Sequence, residues 1–468
     1  MHFFLRKTNL FLFCIYLSLL IIMSGCGTAG PSPTTLAAPT PVPWGEKSIK
    51  VTPTPGPCTQ AVCLNPSTMP GVRPFIDTWN NIHIFQTFDF YYKSYQIAKY
   101  GKTFDMVWGA GQEQSYTPAL WRATNPNIFL PYYIALNRDS GTVADPGIGG
   151  LAGRINYWKA VHPDWVLYQC DRSTPVTQFG NPNIALDISN PAVQDWQMQT
   201  YMQPVSQSGY DAIGIDNVNM NLPGGEGGDT QKMACGHYDK NGQWVQRYSG
   251  QTNDTQWRTD VLAWLTTMQK RVHALPHPLA LVINLGMAPL TGSDPFLQQI
   301  ANHVDGILDE SGFTGYGNQY VTDDAWVQLV QFIKSVQAHN KPYFIIDEFK
   351  YAPGQGITND QVQWALSTYL MGKYHLSAVN PVAIQDYGSP RPRDEYNAPI
   401  GVPVSEMYQN QYVYWRNYSN GLVLVNPSSS SSFTVTLDSP HYTDLYGKAV
   451  GQTLTLQPQS GIVLLNKK

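Results

Sequence analysis

Eight short apolar runs, separated by stretches with a helical period, constrain this chain more than any other feature of its sequence. They lie at 82–88, 104–108, 128–135, 212–218, 280–285, 306–310, 343–349 and 381–387. Runs of this length read as strands buried on both faces of a parallel sheet. Eight of them over about 300 residues is the count and size of a closed (β/α)8 barrel. An open doubly wound sheet more often has fewer strands and a Gly-rich phosphate loop after the first, and no such loop follows 82–88.

The intervening helices are readable by period. Trp257, Val261, Trp264, Met268 and Val272 fall on one face of a helix ahead of the fifth run, and Trp326, Val330, Ile333 and Val336 do so ahead of the seventh. Thr358 with Gln361 forms a capping-box pattern ahead of the eighth. Asn190 and Pro191 suit the cap and first position of the helix that feeds the fourth. Two further apolar runs, 165–170 and 184–188, have no place in a closed wall and are expected as an extra hairpin or loop over the mouth. The Gly-rich 223–228 stretch with 235–239 beyond it reads as a long loop on the same side. From about Val402 the period becomes two, with a hairpin signal at Asn420-Gly421, which predicts a small antiparallel β-sandwich.

The expected fold is therefore α/β, a TIM barrel over 58–400 followed by a C-terminal antiparallel β-sandwich over 401–468. Ahead of these stand a targeting segment, 1–26, and a tether, 27–57. The targeting segment has Arg6 and Lys7 at its start, an apolar stretch at 10–23, and then Ser24, Gly25 and Cys26. It resembles a bacterial lipoprotein signal, which implies lipidation at Cys26 and an exported protein anchored to a membrane. An ordinary secretory signal or an uncleaved anchor is the competing reading. The tether, rich in Pro, Thr and Ala, cannot bury enough apolar surface to fold. Four cysteines remain, and outside the cytoplasm their even number suggests disulfides, with Cys58–Cys63 and Cys170–Cys235 the preferred pairing of three. No paired short Cys or His spacing supports the alternative, a zinc site.

A net charge of −4 with 13% charged residues argues against a nucleic-acid surface. The chemistry instead concentrates in acids at strand ends. Asp216 closes the fourth run, Asp309 and Glu310 the sixth, Asp347 and Glu348 the seventh, and Asp386 the eighth. A barrel mouth ringed by carboxyls, without a metal pattern or nucleotide fingerprint, fits glycoside hydrolysis without a cofactor, in which one acid protonates the leaving oxygen and a second attacks or activates water. Alternation puts Gly214 and Asp216 on one face, and Gly306, Leu308 and Glu310 on one face, so Asp216 and Glu310 are the catalytic candidates. Asp309 then faces the helices or caps the next segment. Asn217, Asp309, Glu348 and Asp386 stand as supporting candidates, and Trp108, Tyr132, Tyr133 and Tyr387 as aromatic subsites for sugar. For each of these the competing role is loop anchoring or packing.

The segment Tyr210-Asp211-Ala212-Ile213-Gly214-Ile215-Asp216-Asn217-Val218 resembles a signature of extracellular TIM-barrel glycoside hydrolases, a group that includes hypothetical glycosyl hydrolase family 15 and, more remotely, the α-1,4-polygalactosaminidase family. Ala212 stands where that signature commonly has Gly. Asp305-Gly306-Ile307-Leu308-Asp309-Glu310 is similar to the second signature, and Arg416, Asn420, Gly421, Leu424, Val425 and Asn426 to the closing sandwich. The resemblance implies Asp216 as nucleophile or electrostatic stabiliser and Glu310 as general acid/base, with the roles open to exchange. The expectation is thus a membrane-anchored, monomeric extracellular hydrolase of a polysaccharide or oligosaccharide. The alternative is a catalytically silent carbohydrate-binding or cell-envelope protein on the same barrel.

Overall fold

The computed structural model describes residues 71–112, 114–136, 138–139, 157–177, 184–223, 233–285, 294–317, 319–350, 356–439 and 441–467. The leader, the tether, Cys26, Cys58 and Cys63, and most of the Gly-rich 223–228 stretch lie outside them. Among the described residues no helix is long and apolar enough to cross a membrane.

Eight parallel strands form the central sheet: Ile84–Thr87, Phe104–Trp108, Pro131–Ala135, Ala212–Asp216, Ala280–Asn284, Gly306–Asp309, Tyr343–Phe349 and Ser377–Ala383. Neighbours follow chain order, and the eighth strand pairs with the first through Ile84 and Val379. Between the second and third strands, Phe129 donates to the Asp105 carbonyl at 2.8 Å and Gly109 to the Pro131 carbonyl at 3.0 Å, which closes the ring into a TIM barrel.

Period-two alternation divides the strand side chains into two layers. Met106, Trp108, Phe129, Val282, Leu308, Phe344 and Ile346 fill the inside, and Phe75 from the segment ahead of the first strand plugs the bottom against Phe129 and Phe344. Gly214 is inward too: a Cβ there would lie 2.7 Å from the Trp108 ring, so only glycine fits beneath that indole. The outward layer packs on the helices. Trp257, Val261, Trp264, Met268 and Val272 are all buried on helix Thr255–His273. The Asn190 cap and the Thr358–Gln361 capping box form as expected.

Three corrections concern the elements near the mouth. The eighth strand starts at Ser377 and ends at Ala383, so Pro381 lies inside it, paired with Asp347, and does not begin it. Residues 384–386 form a 3-10 turn, and Asp386 therefore does not end a strand. Residues 235–238 are not loop: Ala234–Tyr238 is a strand that pairs antiparallel with Tyr168–Gln169 and with Trp244–Gln246, and Asp239 begins the turn after it. The run at 184–188 does lie outside the barrel wall, where Val166 bridges Leu186. This layer leaves the barrel at the mouth ends of the third and fourth strands, and a Cys170–Cys235 disulfide links two of its segments.

The C-terminal region is a β-sandwich. A six-stranded antiparallel sheet, built on Val413–Tyr418, Gly421–Asn426 and Ser460–Asn466, faces a ribbon of Phe433–Thr436 and Thr453–Leu456 over a core of Trp415, Leu422, Leu424, Val435 and Leu464. Barrel and sandwich are joined by the buried Arg416. Its Nη1 donates to the carbonyls of Leu370, Met371 and Lys373 at the end of helix Asn359–Gly372, where the unpaired carbonyls favour a cation.

Candidate active site

The fourth strand ends on Asp216, which points inward at 8% exposure. Three donors converge on it: Tyr133 Oη at 2.7 Å and Asn217 Nδ2 at 2.5 Å to Oδ2, and Asn284 Nδ2 at 2.8 Å to Oδ1. This is the complement of a carboxylate, which only accepts. Asn217 can turn back on its neighbour because its φ of 59° takes the chain off the sheet in the left-handed region, which Asn tolerates better than most residues.

The same Asn284 nitrogen donates to Glu310 Oε2 at 2.7 Å. Two oxygens held so close to one nitrogen cannot lie farther apart than those two bonds laid end to end. Their nearest approach thus falls at or below the spacing of roughly 5 to 5.5 Å that carboxyl pairs use in retaining glycosidases. Glu310 is half-buried and continues inward from Leu308, one residue past the end of the sixth strand. Burial, then the Asp216 and Glu348 charges, push its carboxyl above the usual range of a glutamic acid.

From Glu310 the chain of contacts runs on. Tyr387 Oη donates to Glu310 Oε1 at 3.2 Å and also meets Glu348 Oε1. Glu348 is inward and buried at the seventh strand, and burial raises its carboxyl as well. A continuous line therefore crosses the mouth from Asp216 through Asn284, Glu310 and Tyr387 to Glu348.

Other sequence candidates fall elsewhere. Asp309 is wholly buried on the opposite face of its strand. It accepts from Ser311 Oγ at 2.7 Å, from the Ser311 and Gly312 amides at 3.1 Å each, and from Tyr343 Oη at 2.9 Å. It anchors the following turn, as alternation requires. Asp386 accepts from the Arg391 guanidinium at 3.0 and 3.2 Å, because the earlier end of the eighth strand leaves it in a turn. Tyr132 faces out of the barrel and packs edge-on against Tyr210 at 5.1 Å, since its neighbour Tyr133 takes the inward position. Trp108 is inward, but at 2% exposure it fills the barrel below the mouth and offers no open face. Tyr133 and Tyr387 are the two aromatic candidates that reach the acids.

Sequence reasoning misses Asn284. Its only signal is position: in Ala280, Val282, Asn284 the inward alternation of the fifth strand ends on an amide. It also misses Phe88, whose ring lies 5.4 Å from Tyr133 and 6.5 Å from Tyr387. Among the described residues no group of three or more His, Cys, Asp or Glu side chains could hold a metal ion.

A TIM barrel with inward carboxyls at its strand ends is an architecture on which glycosidic bonds are hydrolysed. The chain belongs to hypothetical glycosyl hydrolase family 15, whose model matches residues 122–422. No curated protein matches it. Among solved structures it is similar to the noncanonic maltogenic α-amylase AmyB from Thermotoga neapolitana, at 12% identity over 83% of this chain and 97% of that one, with a TM-score of 0.43. An α-amylase from Malbranchea cinnamomea gives 12%, 80%, 88% and 0.41 in the same order. The cyclic α-maltosyl-(1→6)-maltose hydrolase from Arthrobacter globiformis gives 11%, 84%, 93% and 0.42. Family membership gives the enzyme class, a glycoside hydrolase.

Proposed function

We propose that the protein is an exported, membrane-anchored glycoside hydrolase that cleaves a polysaccharide with Glu310 as general acid and Asp216 as nucleophile. The observation that carries this reading is the single Asn284 amide that holds both carboxyl groups. A raised Glu310 keeps its proton near neutral pH and can deliver it to the glycosidic oxygen. Asp216, loaded with three donors, is poised to attack the anomeric carbon, and the short span between the two leaves no room for a water on the far face of the sugar. Glu310, having given up its proton, then takes one from the water that releases the glycosyl group. The leader sequence and the Cys170–Cys235 disulfide both favour action outside the cytoplasm. The test is reducing-end release from a polysaccharide panel, with the product anomer followed by proton NMR. Retention of configuration is expected. An inverted product, or no release from any polysaccharide, would contradict the proposal.

A further inference from the structure

The geometry points to a track for a glycan chain of several residues, laid along the loops that follow the first and second barrel strands; it rests on the hydrolase reading above. Its inner end is the pair of tyrosines that hydrogen-bond the acids, Tyr133 and Tyr387. Phe88 packs on both, and Phe90 stacks on Phe88 with centroids 4.6 Å apart and planes 15° from parallel. Tyr91 follows at 6.4 Å and stands 62% exposed. Tyr116, 52% exposed, is tied to the same place: its hydroxyl donates to Gln114 Oε1 at 2.5 Å, and Gln114 Nε2 donates to the Phe90 carbonyl at 2.8 Å. Ring contacts thus run from the tyrosines at the acid pair through Phe88 and Phe90 to the exposed Tyr91.

The track is held in place from below. Asp89, fully buried, accepts from the Gly111 amide at 3.1 Å and from Trp121 Nε1 at 2.9 Å, which locks the two loops together. Tyr91 donates its amide to the Gly388 carbonyl at 3.0 Å. Phe88 sits at a φ of 56°, a strained conformation for a bulky residue, and its ring occupies space that Gly109 leaves open, where a Cβ would fall 2.5 Å from it. Strain of this kind survives only where the surrounding structure enforces it. Two exposed rings, Tyr91 and Tyr116, at the solvent end of a line of packed aromatics mark a surface that receives a ligand with apolar faces of its own. Sugar rings present C–H faces for stacking while their hydroxyls stay in water. Because the row begins on the tyrosines bound to Asp216 and Glu310, whatever lies along it also enters the acid pair.

The experiment is affinity electrophoresis of the full chain in gels carrying amylopectin, hydroxyethylcellulose, xylan or galactomannan, with reducing-end release measured on the same polymers. The native protein is expected to be retarded by at least one. Tyr91→Ala with Tyr116→Ala is expected to weaken that binding about tenfold, because the sugar then has two fewer rings to stack on. Tyr412→Ala, which removes an exposed ring on the sandwich, is expected to keep native retardation. Retardation by none of the polymers, or equal retardation of the double variant, overturns the track. Hydrolysis with a KM indifferent to the double variant overturns the track alone. Retardation abolished in the double variant but with no hydrolysis by the native chain supports the track and overturns the hydrolase reading.

Discussion

Asp309-Glu310 and Asp347-Glu348 are two acidic dipeptides at the ends of neighbouring strands, and each is split by the pleat into opposite fates. The glutamates point into the mouth and share Tyr387. The aspartates point outward, where Asp309 gathers four hydrogen bonds and Asp347 accepts the Phe313 amide at 2.7 Å. Both aspartates pin the turn at 311–314, which follows the sixth strand. An acid at a strand end is therefore no guide to chemistry until its face is known. The face is fixed by the parity of the strand, and a shift of one residue would exchange the two roles.

The largest effect that separates the two faces is on rate. Glu310→Gln is expected to lower kcat about 10²- to 10⁴-fold, the usual share of a general acid, with the melting temperature within a few degrees of native. Loss of folding in place of loss of rate would put Glu310 with the aspartates. Asp309→Ala should do the reverse in stability. It strands buried donors and is expected to cost about 3 kcal/mol in denaturant unfolding; a cost below about 0.5 kcal/mol, the level of an ordinary surface substitution, would show that the anchor carries nothing.

The effects of pH are smaller and also differ between the faces. As the proposed general acid Glu310 acts only when protonated, so activity is expected to fall as pH rises through its raised pKa. Glu348→Gln removes one of the charges that raise it, and the alkaline limb of kcat/KM should move to lower pH. Tyr387→Phe removes a hydrogen bond that lowers it, and the limb should move to higher pH. Shifts in the same direction would break the Tyr387 link. On the other face, burial pushes the Asp347 carboxyl up to about 8. The folded chain then holds a proton that the unfolded chain releases near pH 4, so this group costs stability progressively as pH rises from about 4 to about 8. Asp347→Asn, which keeps an acceptor for the Phe313 amide, should gain on the native protein in thermal melts across that window. A constant difference would mean that Asp347 does not titrate there.

The smallest contrast is between adjacent tyrosines. Tyr133→Phe, which takes a donor from Asp216, should lower kcat about tenfold. Tyr132→Phe, on the helix side, should change neither rate nor stability by more than about 0.5 kcal/mol.

Much of this arrangement is legible in the residues themselves, for a physical reason. Strands buried on both faces announce themselves as apolar runs, and a terminal carboxyl inherits its direction from Gly214 or Leu308 two residues earlier. The eighth strand is misplaced in a reading by pattern because a proline usually begins or ends a strand, whereas Pro381 is accommodated in the middle of one. Ala234–Tyr238 reads as loop because its Ala-Cys-Gly-His stretch lacks the branched residues that mark a strand. Asn284 carries no composition signal at all. Its importance comes from lying on the strand between two others that the sequence separates by some ninety residues, a juxtaposition set by strand order and invisible in any local pattern.

The most direct measurement is the rate of reducing-end release by Asp216→Asn on a polysaccharide that the native protein cleaves. The account predicts a folded protein with less than about one thousandth of the native rate. A folded variant that cleaves at the native rate would remove Asp216 from the reaction and leave the Asn284-bridged pair a structural feature of the barrel.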